Sequence, residues 1–373
     1  MEAQCFANAA ESQCRAKYVS SNGVFPFLMD GNCSYVSNFV ENNILKAVLI
    51  FKCSVLPVGF IFYAMFVKVQ GWSMCYHRNI NILIVSSHTF TLLFTVASFA
   101  TTLNEAIRFS RTHASYCDYT VTIAQTMPMM LPNNFAYNGL LISLACMCAE
   151  RFFASWYYKK YERWDVRLGL VLFVIMVSST AACTFINFIQ PYLGLTSTPT
   201  LRTLVISRFN LYSLSMTNHI FIGITTVTVI SFHVLLWYNR RNKDINRDVS
   251  AKYQMSENIK TIKLLLPMVW THYICFLPSL INILLPTLNG YSPELNTTTA
   301  YVYELCDTVA LYPIILPIVL FFTNPVLRNN CLQLVKCRKS RVNLNTKVVH
   351  GHASTVDHLK ALENVWNVAL SRK

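Results

Sequence analysis

Apolar residues along this chain gather into seven long continuous runs, and charged residues collect in the segments between them. The runs cover residues 47–67, 80–102, 123–149, 168–189, 209–238, 264–288 and 305–327. Crossing roughly 30 Å of hydrocarbon as a helix takes about 20 apolar residues, so each run is long enough. Only helices and closed barrels leave no backbone group unpaired in lipid, and continuous rather than alternating runs select helices. The pattern predicts an all-α membrane protein, a seven-transmembrane helix bundle spanning 47–327, with an N-terminal tail over 1–46 and a C-terminal tail over 328–373.

Composition agrees: 54% of the 373 residues are hydrophobic and only 13% charged, too little polar surface to clothe a soluble globule. Lys52 and Asp307 are the only Asp, Glu, Lys or Arg residues within the seven runs. Such depletion is expected where a charge at mid-bilayer costs about 2.5–3.5 kcal/mol or more. Lys52 is expected to snorkel or to be paired. The first forty residues include Glu2, Glu11, Arg15 and Lys17 without a continuous apolar stretch, unlike a cleavable signal, so the first run is expected to act as a signal-anchor.

Charge then sets orientation. With the N-terminus outside, nineteen basic residues near the membrane fall on the cytosolic side, against seven on the other. The nineteen include Arg151, Lys159, Lys160, Arg163, Arg167 and seven between Arg240 and Lys263. The positive-inside rule favours this threading, which makes the formal +14 charge mostly a topology signal. A nucleic-acid binder would instead gather its basic residues on one soluble domain, and none is visible. Two glycosylation triplets, at Asn32 and Asn296, both fall outside in the same threading.

Of the 13 cysteines, Cys5, Cys14, Cys33 and Cys117 lie in outer segments, where oxidising conditions permit disulfides in any of three pairings. Cys331 and Cys337, beside Lys336, Arg338 and Lys339, are palmitoylation candidates. The remaining cysteines within spans read as packing residues. No nucleophile–base pair, phosphate-cradling glycine loop or metal-ligand spacing occurs, so neither an enzyme nor a cofactor is expected.

At the inner end of span three stands Glu150-Arg151-Phe152, in which the acid can lock the arginine until helix ends part and its donor fork is released to a partner. Cys275-Phe276-Leu277-Pro278 in span six and Pro317 in span seven mark hinges, because a proline there opens the backbone ladder. These features resemble the rhodopsin-like G-protein-coupled receptors, with Phe276 where that family has Trp. The resemblance implies a short amphipathic helix after span seven. It does not extend to the acidic residue of span two, where this chain has Ser87 or His88, nor to a cysteine in the loop 190–208.

A narrower set is Glu150 to Ala154 with Tyr161-Glu162, then Tyr253-Gln254-Met255-Ser256-Glu257-Asn258 leading to Pro267, and Phe322-Thr323-Asn324-Pro325-Val326-Leu327-Arg328. Together these resemble the nematode serpentine chemoreceptors of the alpha superfamily, class alpha/beta. The resemblance implies a chemosensory receptor of the plasma membrane, including sensory cilia, that binds a small environmental molecule and activates a heterotrimeric G protein. It assigns coupling or switching to Glu150, Arg151, Tyr161, Glu162, Tyr253, Gln254, Glu257, Asn258 and Arg328.

Ligand-pocket candidates are the polar residues facing the outer half of the bundle: Asn133, Asn134, Tyr137, Asn187, Asn218, His219, Asn282, Glu304 and Asp307. Membrane lipid is a further partner through the basic cytosolic segments, and homo- or hetero-oligomers stay open. The rival readings are a ligand-gated cation channel of the insect odorant-receptor kind, which would place its N-terminus in the cytosol, and a transporter, which would show broken helices in paired halves.

Overall fold

The computed structural model describes residues 34–73, 77–161, 166–193, 199–200, 210–245, 249–289, 297–325, 327–329 and 332. Residues 1–328 form one compact unit and 329–373 a second, of which only Asn329 and Leu332 are among the described residues.

Seven helical spans among the described residues are long and apolar enough to cross a membrane. Span one is Asn43–Ser73, span two Arg78–Ser110, span three Ile123–Trp156, span five Leu211–Ile245 and span six Val249–Asn289. Span four is an α-helix, Arg167–Thr184, that widens into a π-turn at Phe185–Ile189. Span seven is broken: Thr297–Cys306, a 3-10 turn at Thr308–Leu311, then Tyr312–Thr323. Consecutive spans pack together from one to four and from five to seven, span seven closes back on span one, and span three touches two, four, five and six.

The bundle wears its apolar residues outside. Phe51, Met65, Val85, Val174, Ile220, Val227 and Ile274 are all exposed, as lipid-facing positions should be. Inside, spans are joined by hydrogen bonds between polar side chains: Asn138 to Thr184, Asn187 to Thr217, Ser98 to Asn133 and Ser143 to Ser87. Close approach needs small residues. A Cβ on Gly169 would lie 2.8 Å from the Asn79 Cα, and the Gly169 N–H donates to Asn79 Oδ1, so spans four and two meet backbone to backbone there.

The helices outrun the hydropathic runs. Span one starts at Asn43 instead of 47, and span two continues past 102 to Ser110, carrying buried Glu105 and Arg108 with it. Ahead of span one a short helix, Ser34–Val40, packs Val36, Phe39 and Val40 with Leu45, Leu49, Phe109 and Tyr119. The tail's last turns are thus held on the loop after span two by apolar burial. The loop after span four, which lacks cysteine, is tied to the start of span three by a two-residue antiparallel pairing, Val121 with Thr200 and Thr122 with Pro199.

Asn32, Asn296, Cys5, Cys14, Cys33, Glu162, Cys331 and Cys337 lie outside the described residues, as does the side chain of Cys117. Past span seven, Asn324 starts a helical turn: its Oδ1 accepts from the Leu327 N–H, and its carbonyl accepts from the Arg328 N–H.

Candidate functional site

Two polar clusters sit at opposite ends of the bundle. The first is built where span three ends. Glu150 is fully buried and Arg151 is 2% exposed, yet both are charged, so each needs compensation. The guanidinium supplies it in a fork, Nε to Glu150 Oε2 at 2.5 Å and Nη2 to Oε1 at 2.6 Å. The short helix Tyr158–Tyr161 then folds back so that the Tyr161 hydroxyl donates to Glu150 and accepts from Arg151. Burial pushes the Tyr161 phenol above its ordinary value, and the adjacent Glu150 carboxylate pushes it further, so the hydroxyl stays a donor. His77, just before span two, packs at a tilt against the Tyr161 ring with centroids 4.4 Å apart.

Span six enters through Asn258, whose Oδ1 accepts from Arg151 at 3.3 Å while its amide donates to the Ala154 carbonyl at 2.9 Å. Span five enters through Asn239, donating to Ser155 at 2.7 Å, and Ser155 in turn donates to the Arg151 carbonyl. Four elements therefore converge on one arginine. Tyr253 is exposed and Glu257 pairs with Lys260 at the surface, so these two expected coupling residues face away from Arg151; Arg328 is exposed as well.

Midway along the bundle lies an aromatic stack. Phe276, fully buried, stacks on His272 at 3.8 Å and on Tyr137 at 5.4 Å and meets Tyr312 edge-on at 5.6 Å. Tyr137 Oη, His272 Nε2 and Tyr312 Oη are buried with no hydrogen-bond partner among the described residues, leaving polar groups around Phe276 for a ligand or solvent to meet.

At the far end, Lys52 does not snorkel. Its ammonium lies 2.6 Å from Glu304 and 2.7 Å from Asp307, joining span one to span seven. The helix break at Asp307 would strand carbonyls, and span-six side chains just after Pro278 take up two of them. Ser279 donates to the Cys306 carbonyl and Asp307, Asn282 donates to the Tyr303 carbonyl, and Thr308 donates back to the Cys275 carbonyl. Pro317 is buried inside the last helical segment.

The nine pocket candidates part company here. Asn133, Asn134, Tyr137 and Asp307 line one cavity of about 40 Å³, and Glu304 lines a neighbouring one of about 50 Å³. Asn187 is committed to Thr217 and Asn282 to Tyr303. Asn218 is buried with its amide unpaired among the described residues. His219 is a correction: it is exposed on the bundle's outer surface with Nδ1 2.8 Å from the Ser215 carbonyl of its own helix, because one residue of helical rotation separates it from Asn218.

Residues to which the sequence assigned no role include Asn239, His272, Tyr312, Tyr63 and Thr91, the last two forming a trio with His88 of span two. In that trio the Tyr63 hydroxyl lies 2.8 Å from His88 Nδ1 and 3.3 Å from Thr91. A polar residue inside a span was the available signal.

Residues 30–341 match the family described as "Serpentine type 7TM GPCR receptor class ab chemoreceptor". Serpentine receptor class beta-12 of Caenorhabditis elegans is 24% identical over 244 residues, which cover 61% of this chain and 65% of that relative, just under two thirds of its length.

Proposed function

This chain belongs to the serpentine class ab chemoreceptors, seven-transmembrane receptors of the G-protein-coupled kind, and from that membership we propose that it is a plasma-membrane sensory receptor, one that reaches sensory cilia. It binds a small environmental molecule between its helices and activates a heterotrimeric G protein. The observation that carries this reading is the closed lock on Arg151, a buried charge held by Glu150, Tyr161 and Asn258.

The lock is suited to switching. Asn258 is the link from Arg151 to span six, so displacing that helix removes two hydrogen bonds and opens a path from solvent to the guanidinium. Freed, the fork can donate to backbone carbonyls of a partner, as a planar five-donor group does well. A ligand acts by preferring the displaced state, and shifting the balance from 1:99 to 99:1 takes about 5.5 kcal/mol of differential affinity. The stack around Phe276 lies between the ligand cavities and the lock, and Pro278 supplies the pivot in span six. The excess of basic residues puts the Arg151 end in the cytosol, where the G protein and anionic lipid headgroups would meet it.

The test is a cell carrying a cAMP, cGMP or calcium reporter, challenged with volatile and water-soluble compounds. A response that disappears in Arg151→Ala at normal surface expression is the expected result. A response untouched by that substitution would remove the proposed coupling surface.

A further inference from the structure

Three cavities meet at Asp307. The largest, about 480 Å³, is a groove between span one and the start of span seven, walled by Ile44, Ala47, Phe51 and Leu305 and ending on Lys52, Glu304 and Asp307. The second, about 50 Å³, lies against the same three charged residues together with Ser98, Thr102 and Asn133. The third, about 40 Å³, holds Asn133, Tyr137 and Ser279. Asp307 is the one residue common to all three.

The groove opens sideways into lipid. Ile44, Phe51 and Leu305 are 56%, 58% and 57% exposed, and in a transmembrane bundle such apolar exposure faces hydrocarbon. Lys52 stands nine residues after Asn43, the first residue of span one, which at about 1.5 Å per residue puts the ion cluster roughly 14 Å along the helix. The groove's volume falls within the range of about 300–1,000 Å³ typical of small-molecule sites, and its character is theirs: apolar walls with a few placed polar groups.

Charge decides what would fill it. One ammonium is shared by two carboxylates, at 2.6 and 2.7 Å. Lys52 and Glu304 have side chains 9% exposed, whereas that of Asp307 is 24% exposed. Beyond Lys52, Asp307 receives the Ser279 hydroxyl at 3.3 Å, although a carboxylate offers about four acceptor sites. A second cation beside Asp307 would find an acceptor already stripped of most water. An anionic head would meet two carboxylates and would have to pull one of them off Lys52.

We infer that the groove between spans one and seven binds an apolar amine, with its hydrocarbon body along Ala47 and Phe51 and its ammonium on Asp307. The ligand arrives through the bilayer, and the ion cluster separates the groove from the polar cavities that lead toward Tyr137 and Phe276. This inference rests on the small-molecule receptor reading and adds the ligand's chemistry and its route.

The full-length receptor in phosphatidylcholine nanodiscs, titrated with dodecylamine, dodecanol or dodecanoic acid while thermal unfolding is followed, tests it. Dodecylamine should raise the unfolding temperature saturably, at concentrations about tenfold below those the alcohol or the acid needs. Asp307→Asn, which keeps the Lys52–Glu304 pair, should weaken the amine by about tenfold and leave the alcohol unchanged. Ala47→Phe, at an exposed position on the groove wall, should weaken the amine by filling its space. Equal shifts from all three amphiphiles would show that the groove holds only bilayer hydrocarbon, and preference for the acid would make Lys52 the anchor; either overturns the inference. Arg151-dependent signalling without amine preference would remove this inference and leave the receptor reading standing. Amine binding without a G-protein response would do the opposite.

Discussion

Tyr161 is the residue on which the lock's resting state turns. Its hydroxyl bridges Glu150 and Arg151 while its ring is pinned by His77 and lies beneath the guanidinium, 5.9 Å from the Arg151 carbon to the ring centroid. Tyr161→Phe removes only the hydroxyl. Hydrogen bonds to charged groups are worth about 1.5–3 kcal/mol, so the closed state should weaken by that order. Ligand-free reporter signal should then rise by about tenfold for each 1.4 kcal/mol, up to full activation. A flat baseline in a variant that reaches the surface would mean that Tyr161 does not restrain the switch.

Spans six and seven behave as one element because each covers the other's defects. Asn282 donates to the Tyr303 carbonyl beside the break in span seven, and Asn282→Ala would remove that hydrogen bond. A hydrogen bond of this kind contributes about 0.5–1.5 kcal/mol, and its loss should appear as a lower unfolding temperature in nanodiscs. Glycines give a contrast on the same scale. Gly169→Ala would drive a methyl to 2.8 Å from the Asn79 Cα and force spans four and two apart, whereas Gly223 has nothing within 4 Å. Gly223→Ala should be neutral or stabilising by up to about 1 kcal/mol through helix propensity. Equal melting points for the two variants would contradict the close approach of these spans.

At the scale of the whole molecule, the ring of helices is closed by Lys52. Lys52→Met would leave Glu304 and Asp307 side by side without their shared cation, and breaking a buried pair in this way costs about 3–5 kcal/mol. Surface expression should fall, and adding Asp307→Asn should restore part of it; no recovery would show that the cation matters for something other than charge balance. Threading is testable separately. An epitope placed before Met1 should be reached on intact cells and one after Lys373 only after permeabilisation, and finding both in one compartment would undo the receptor reading.

Seven spans, their order and the family were legible in the chain itself because the lipid solvent acts locally: each stretch of about 20 residues must be apolar and helical whatever its neighbours do. The same local rule drew attention to Lys52, Asp307 and Glu150-Arg151, since a charge in or beside a span stands out against that background. What each polar side chain does was decided only in three dimensions. Lys52 finds its partners 252 and 255 residues away, and Asn258 reaches Arg151 across 107. Rotation about a helix axis puts Asn218 inside and His219 outside although they are consecutive. Hydropathy also could not see that span two carries Glu105 and Arg108 onward to Ser110, or that span seven breaks at Asp307, because in both places buried polar contacts replace lipid as the surroundings. Solvent preference belongs to the residue and can be read along the chain. Partnership belongs to the pair, and only packing brings the pair together.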